Sequence, residues 1–379
     1  MTALHRILVC PQEFKGSLTA IQAAAAIAAG VRSVLPDAAV VEMPMADGGP
    51  GTVAIVAKAT GARLVGHTAT GPLGDPVAAT YALLARPGEP VVAVIEAAAA
   101  AGIALVPPER RDPARATSAG VGEQIRDAIE RGARQVIVGV GGTATNDGGA
   151  GAAQALGMRL LDANDEALPR GGIALVRLDR VEAPADAAIR TLDLRVAVDV
   201  RNPLLGPAGA TAVYGAQKGV QDWQAPAFNA ALARWADRLC RDLGVDVAAL
   251  PGAGAGGGIP TGLLGTCPGG RIESGAELVA HTIGLREAIE AADLVVTGEG
   301  AIDGQTAYGK SVAHVAALAA AAGTPCIAVA GIVDGLPAGI TDAEALTGAG
   351  ADLTSAMALA TEHATSAAAR LIHRRTASI

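Results

Sequence analysis

Aromatic side chains are almost missing from this chain of 379 residues: two tryptophans, three tyrosines and two phenylalanines make up 2% of it. So thin a supply excludes an aromatic stacking platform for single-stranded nucleic acid, and it speaks against an aromatic-lined sugar or peptide groove. Basic charge is also short. Twenty-nine lysines and arginines stand against 37 acids, a net charge of −8, whereas a phosphodiester partner demands a basic face. Long apolar runs are absent. The mean hydropathy is +0.37, but the apolar residues are mostly Ala and Val. Gly, Pro or charge interrupts them well before the roughly 20 residues of a membrane span. Residues 1–30 hold no basic segment leading into an apolar stretch with a cleavage site, and Glu13–Lys15 falls inside them. The four cysteines (Cys10, Cys240, Cys267, Cys326) form no CxxC pair, and none of the six histidines stands at i,i+4 from another. Neither a disulfide framework nor a zinc site is expected. The expectation is a cytoplasmic protein with no nucleic-acid or membrane partner.

What the chain does have is alternation. Short apolar runs at Arg6–Cys10, Val40–Met43, Val91–Ile95, Gln135–Val140, Leu194–Val198, Leu294–Thr297 and Cys326–Ala330 read as buried parallel strands. Helical windows lie between them: Ala20–Leu35 behind a Thr19 cap, Ser118–Arg131, Ala225–Leu243 and Ser311–Ala322. This pattern predicts an α/β fold with parallel sheets. Ala62–Thr70 and Val77–Leu84, joined by a Gly-Pro turn, read instead as an antiparallel pair. The length suggests two domains. If the chain leaves one near Gly61 and returns near Glu287, residues 1–61 and 287–379 form one α/β domain, and 62–286 form an inserted one.

Five glycine-bearing loops carry polar residues, most of them after a strand, where ligands of such sheets bind. In Gln12-Glu13-Phe14-Lys15-Gly16-Ser17, Lys15 near a helix start suits an anion, or is simply a solvated lysine. Asp47, in Met45-Ala46-Asp47-Gly48-Gly49, suits a metal ion or a hydroxyl proton, although capping the next helix is the simpler reading. The segment from Gly139 to Gly149 (GVGGTATNDGG) offers consecutive N–H and O–H donors to phosphate oxygens. Gly252–Gly258 (GAGAGGG) formally contains GxGxxG, but Leu250-Pro251 gives it no preceding strand and Pro260 is read as breaking the following helix, so a dinucleotide fingerprint is rejected. Gly304–Ser311 satisfies GxxxxGK[ST]. The expected strand ends seven residues earlier, at Thr297, and Asp334 lies past the end of Cys326–Ala330, so the reading is not a P-loop enzyme.

Taken in order, PQEFKGSLTA, PMADGGPGT, GVGGTATNDGGAGAAQALG, DVRNPLLGPAGATAVYGAQKG, GAGAGGG and DLVVTGEGAIDGQTAYGK resemble the bacterial glycerate kinase family of the first type. The resemblance spans roughly Ile7 to Gly331. It implies a Rossmann-like parallel-sheet domain built from both termini, a second α/β domain inserted in the middle, and an active site in the cleft between them. It also implies phosphorylation of D-glycerate by ATP with Mg²⁺, giving 2-phosphoglycerate or 3-phosphoglycerate; the sequence is compatible with a monomer or a homodimer. The implied catalytic residues are Lys15, Asp47 and Asp199. Ser17, Asn202 and Lys218 are the implied substrate ligands. Asn146, Asp147 and Lys310 are expected to face the nucleotide and Glu299 and Asp303 the metal, and the glycine loops themselves are expected to bring Gly142, Thr143, Gly254 and Gly256 against the triphosphate.

Two motifs depart from the family pattern. The first usually reads Pro-Asp-Ser-Phe-Lys-Gly-Ser, whereas this chain has Gln12 and Glu13; the second usually has Glu where Pro50 stands. These changes leave open a kinase for a related small hydroxy acid, or a homologue that binds a metabolite without turnover. A nucleotide-cofactor oxidoreductase on the GAGAGGG loop is the remaining alternative.

Overall fold

Thr19 opens the first helix as the sequence predicts. Its hydroxyl accepts the Gln22 N–H at 3.2 Å while Gln22 Oε1 accepts the Thr19 N–H at 2.9 Å. This reciprocal cap satisfies two donors that a helix start otherwise leaves open. The helix, Ala20–Val34, is Ala-rich and turns Ala23, Ala24, Ile27 and Val31 inward. The computed structural model describes residues 4–302, 311–346 and 357–377. The chain divides into two compact units, Met1–Asp47 with Ala276–Ile379, and Gly48–Gly275.

The terminal unit holds a five-stranded parallel sheet. Its order is Ala343–Ala345, Cys326–Val333, Leu294–Ile302, Arg6–Val9, Ala39–Glu42. The central strands are covered on both faces, which is why their sequences are apolar without alternation. Gly30 lets two of the covering helices meet, because a Cβ there would lie 2.2 Å from the Thr365 carbonyl oxygen in the helix Ala360–Ala377. Two strands run longer than the sequence suggests. Leu294–Ile302 continues through Glu299, and Cys326–Val333 ends immediately before Asp334. The small residues Gly298, Gly300 and Gly331 carry no strand signal of their own, yet pairing from Val295↔Cys326 to Ile302↔Val333 extends both strands. The two strand-end arguments against a P-loop therefore lapse, but residues 304–310 of that pattern lie outside the described residues.

The inserted unit carries a six-stranded sheet in the order Arg271–Glu273, Asp193–Ala197, Gln135–Gly139, Val92–Glu96, Pro76–Leu84, Arg63–Thr70. The first four strands are parallel. The last two form the expected antiparallel hairpin, in register from Arg63↔Leu83 to Thr70↔Pro76. Pro260 does not break the following helix: Ile259–Thr266 begins around it, the first turn being where a missing N–H costs nothing. Among the described residues no helix is long and apolar enough to cross a membrane.

Candidate active site

In the terminal unit the polar residues gather at the carboxyl edge of the parallel strands. The Gln12 N–H donates to the Gly298 carbonyl at 2.8 Å, and the Met45 N–H to the Pro11 carbonyl at 2.8 Å, so the segments leaving Arg6–Val9 and Ala39–Glu42 stay side by side. Across them Gln12 Nε2 donates to Asp47 Oδ2 at 2.8 Å. The cap that sequence alone favoured for Asp47 is made by Glu96, whose Oε1 accepts the Val53 N–H at 2.7 Å at the start of the helix Thr52–Thr60.

Lys15 is exposed on a tight loop closed by the exchange of N–H bonds between Phe14 and Leu18, at 2.9 and 3.0 Å. Phe14, 2% exposed, anchors the loop from below. Gly300 lets the loop lie on the strand, since a Cβ there would approach the Lys15 nitrogen to 3.3 Å. That contact sets Lys15 beside the level of Glu299, a carboxylate only 7% exposed. Ser17 donates its hydroxyl to the Phe14 carbonyl at 3.0 Å, within its own loop. Asp303 and Lys310 lie outside the described residues.

In the inserted unit the loop after Gln135–Gly139 and the Gly252–Gly258 loop are locked together. The Thr143 hydroxyl donates to the Gly256 carbonyl at 2.9 Å, and the Gly148 N–H to the Gly257 carbonyl at 3.0 Å. Gly257 sits at φ +79°, and a Cβ there would fall 1.9 Å from the Thr145 carbonyl oxygen and 2.8 Å from Lys218 Nζ. The glycines thus bring two backbones within reach of one another, a closeness no side chain permits. Trp235, fully buried, donates Nε1–H to the Gly148 carbonyl at 2.9 Å from the helix Ala225–Leu243. Gly142 is exposed at the tip of the turn, and Pro50 flanks it.

Two buried charges sit in this arrangement. Asp147 is completely buried, and its carboxylate accepts from the Ser118 N–H and hydroxyl, both at 2.8 Å, and from the N–H groups of Gly149 and Gly151 at 3.0 and 3.2 Å. Burial pushes its pKa up, and these donors pull it back. Lys218, 3% exposed, donates Nζ–H to the Thr145 carbonyl at 2.7 Å and reaches the Thr143 hydroxyl at 3.4 Å. Burial brings its pKa down to about 7, with the Asp147 charge acting the other way. Asn146 is buried too, donating Nδ2–H to the Thr211 hydroxyl at 3.0 Å.

Asp199 and Asn202 follow the neighbouring strand at the same sheet edge. Asp199 Oδ1 accepts from the Gly275 N–H at 3.1 Å and the Ser274 hydroxyl at 3.3 Å. Asn202 donates to the Ala208 carbonyl and accepts the Tyr214 hydroxyl, and its own carbonyl takes the Gly254 N–H at 3.0 Å. Hydrogen bonds therefore join Thr143, Gly256 and Lys218, and Gly142, Asn146, Asp147 and Gly254 lie on the same two interlocked loops. Sequence reading missed Glu96, Ser118 and Trp235 as parts of this edge. A carboxylate directly after the run Val91–Ile95 was the available signal for Glu96; nothing local marks Trp235 as a partner of Gly148.

Glycine turns and carboxylates at the carboxyl edges of parallel sheets, without a strand before GAGAGGG, set this protein apart from dinucleotide-binding oxidoreductases. Comparison with known proteins gives the class: small-molecule phosphotransferases. A family model described as the glycerate kinase family matches residues 7–376. A glycerate kinase of Halalkalibacterium halodurans is 45% identical over 330 residues, covering 86% of each chain. The glycerate 2-kinase of Escherichia coli K12 is 42% identical over 327 residues, 86% of this chain and 85% of the relative. A crystal structure assigned to glycerate kinase 2 of Salmonella typhimurium LT2 superposes with a TM-score of 0.88 at 40% identity, over 99% of both chains. The chain belongs to the glycerate kinase family.

Proposed function

We propose that this chain transfers the γ-phosphoryl group of ATP to the 2-hydroxyl of D-glycerate, giving 2-phosphoglycerate and ADP. The observation that carries the reading, beside family membership, is the locked pair of glycine loops. The Thr143 and Gly148 bonds hold the Gly142 turn against the Gly254–Gly256 backbone, a close, preorganised glycine surface of the kind phosphate oxygens approach. Phosphoryl transfer asks a protein mainly for positioning and charge neutralisation. Exposed Lys15 supplies a cation for the glycerate carboxylate or the transferring phosphoryl group. Asp47 or Asp199 accepts the hydroxyl proton as the new P–O bond forms and the β–γ bridging bond breaks. Asn202 contributes hydrogen bonds to the acid, and Ser17 orders the Lys15 loop. Lys218 acts from beneath, its amino group holding Thr143 and Thr145 in place.

Kinases of this kind use Mg²⁺ to neutralise phosphate charge. Among the described residues no group of three or more His, Cys, Asp or Glu side chains could hold a metal by itself. A nucleotide-borne Mg²⁺ needs only one or two carboxylates besides the phosphates, and Glu299, with its hard oxygens at the sheet edge, fits that need; Asp303 is the second candidate.

A coupled ADP-release assay with ATP, Mg²⁺ and D-glycerate tests the reading, with lactate and glycerol as comparators. Glycerate-dependent release is expected, with Lys15→Ala lowering turnover at least about tenfold at unchanged thermal midpoint. Release of 3-phosphoglycerate would move the acceptor to the other hydroxyl. Full activity of the variant would remove Lys15 from the mechanism.

A further inference from the structure

Glu96 does more in the inserted unit than close a helix start. The helix Thr52–Thr60 has Gly51 at its cap position, at φ +98° and with no side chain to accept an N–H. The acceptor comes instead from a residue 43 positions away in the chain. Glu96, last in the strand Val92–Glu96, takes the Val53 N–H at 2.7 Å and the Gly51 N–H as well. Its carboxylate is half-buried; burial pushes its pKa up, and these two donors pull it back. Among the described residues no basic side chain answers its charge.

The strand that Glu96 ends pairs in register with its neighbour, Glu96 opposite Gly139. Gly139 is where the backbone of Gly48 touches the sheet, the two approaching as only glycine allows. The Gly48–Gly51 turn therefore rests on one strand at its start and is tied to the adjacent strand at its end. Between these points it runs along the turn that follows Gln135–Gly139. A Cβ on Gly141 would meet the Gly49 Cα at 3.2 Å, and one on Gly142 would meet the Pro50 ring at 3.2 Å. The Thr52 hydroxyl, on the Gly49 carbonyl at 2.7 Å, closes the turn on itself; the Glu96 carboxylate ties it to the sheet.

We propose that Glu96 is a positioning residue for the nucleotide: by holding the Gly51 and Val53 N–H groups it seats the Gly48–Gly51 turn against Gly141 and Gly142, and so fixes the surface that the triphosphate approaches. The proposal deepens the kinase reading and rests on it. A cap from within the turn would satisfy the same helix start, but would leave the turn unattached to the strands. A carboxylate reaching over from the sheet does both, and hydrogen bonds to an ionised acceptor are stronger than those to a neutral one. The turn has need of such an anchor, because Gly48, Gly49 and Gly51 leave its backbone with wide conformational freedom.

The test uses the full chain with Glu96→Gln, which keeps the size and one acceptor oxygen, and Glu96→Leu, which removes both. For each, kcat and the KM for ATP and for D-glycerate are measured by ADP release well below the thermal midpoint, and the midpoint is recorded. Glu96→Gln is expected to lower kcat/KM for ATP about fivefold or more, and Glu96→Leu further, because small displacements beside reacting groups are amplified in the rate. The KM for D-glycerate should stay within about twofold of wild type. If both variants lose thermal stability alone, with kcat/KM for ATP within about twofold of wild type, Glu96 is a helix cap and the proposal is overturned. KM values for ATP and D-glycerate that rise together overturn it too, and the kinase reading survives either result. A wild type that releases no ADP with D-glycerate overturns the kinase reading and this inference with it. Should Glu96→Leu fail to fold, the isosteric Glu96→Gln decides.

Discussion

At the residue scale, two buried ions separate structural from chemical work. Asp147 has its two oxygens committed to four protein donors, so it serves first as the knot that ties Ser118 to the start of the helix Ala150–Ala155. An amide in its place would point N–H groups at N–H groups. Asp147→Asn should therefore destabilise the protein by about 2–4 kcal/mol, read as a fall of several degrees in thermal midpoint, with lost activity following the lost fold. A thermal midpoint equal to wild type would show that those donors find other partners. The sequence marked Asp147 through its Asn-Asp-Gly-Gly turn, but a turn motif does not say which donors the carboxylate will meet. That depends on Ser118, 29 residues away in the chain.

At the element scale, glycine decides how closely strands and loops approach. Gly139 ends the strand Gln135–Gly139, and a Cβ there would stand 1.8 Å from the Gly48 carbonyl oxygen. Under 3 Å the backbone itself must shift. Gly139→Ala is expected to displace the Gly48–Gly49 turn and lower kcat for ADP release at least about tenfold, since small misplacements near reacting groups cost that much. Parallel loss of the circular-dichroism signal would mean that the sheet, rather than the turn, had failed. Most strands and helices were legible from apolar runs and caps: the helices Ala225–Leu243 and Ser311–Ala322 fall where the pattern put them. The ends of Leu294–Ile302 and Cys326–Val333 were not, because glycines and alanines become strand only through the neighbour they pair with.

At the scale of the whole molecule, the buried groups set how stability responds to pH. Lys218 titrates near 10.5 when unfolded and at about 7 when folded. Between those values the unfolded chain holds one more proton, so stability rises with pH. From about pH 9 the buried thiols oppose this rise: Cys267 and Cys326 titrate at about 12 in the fold against 9.0 in the open chain, so the folded state then holds the extra protons. The urea midpoint should accordingly climb from pH 7 toward pH 9 and turn over above it. Lys218→Met should flatten the climb and leave the turnover. A climb unchanged in that variant would place the titration elsewhere.

By itself the sequence determined the α/β class, the Thr19 cap, and the six motifs that resemble glycerate kinases. Each of these depends on composition, local periodicity or residues adjacent in the chain. Only the tertiary structure decided that Glu96 caps the helix Thr52–Thr60, that Lys218 is sealed beneath Thr143 and Thr145, and that Gln12 holds Asp47. Those three depend on which backbones glycine allows to touch, and on donors and acceptors dozens of residues apart meeting at 2.7 to 2.8 Å. Such contacts come into being only when the sheets close, so no local pattern announces them.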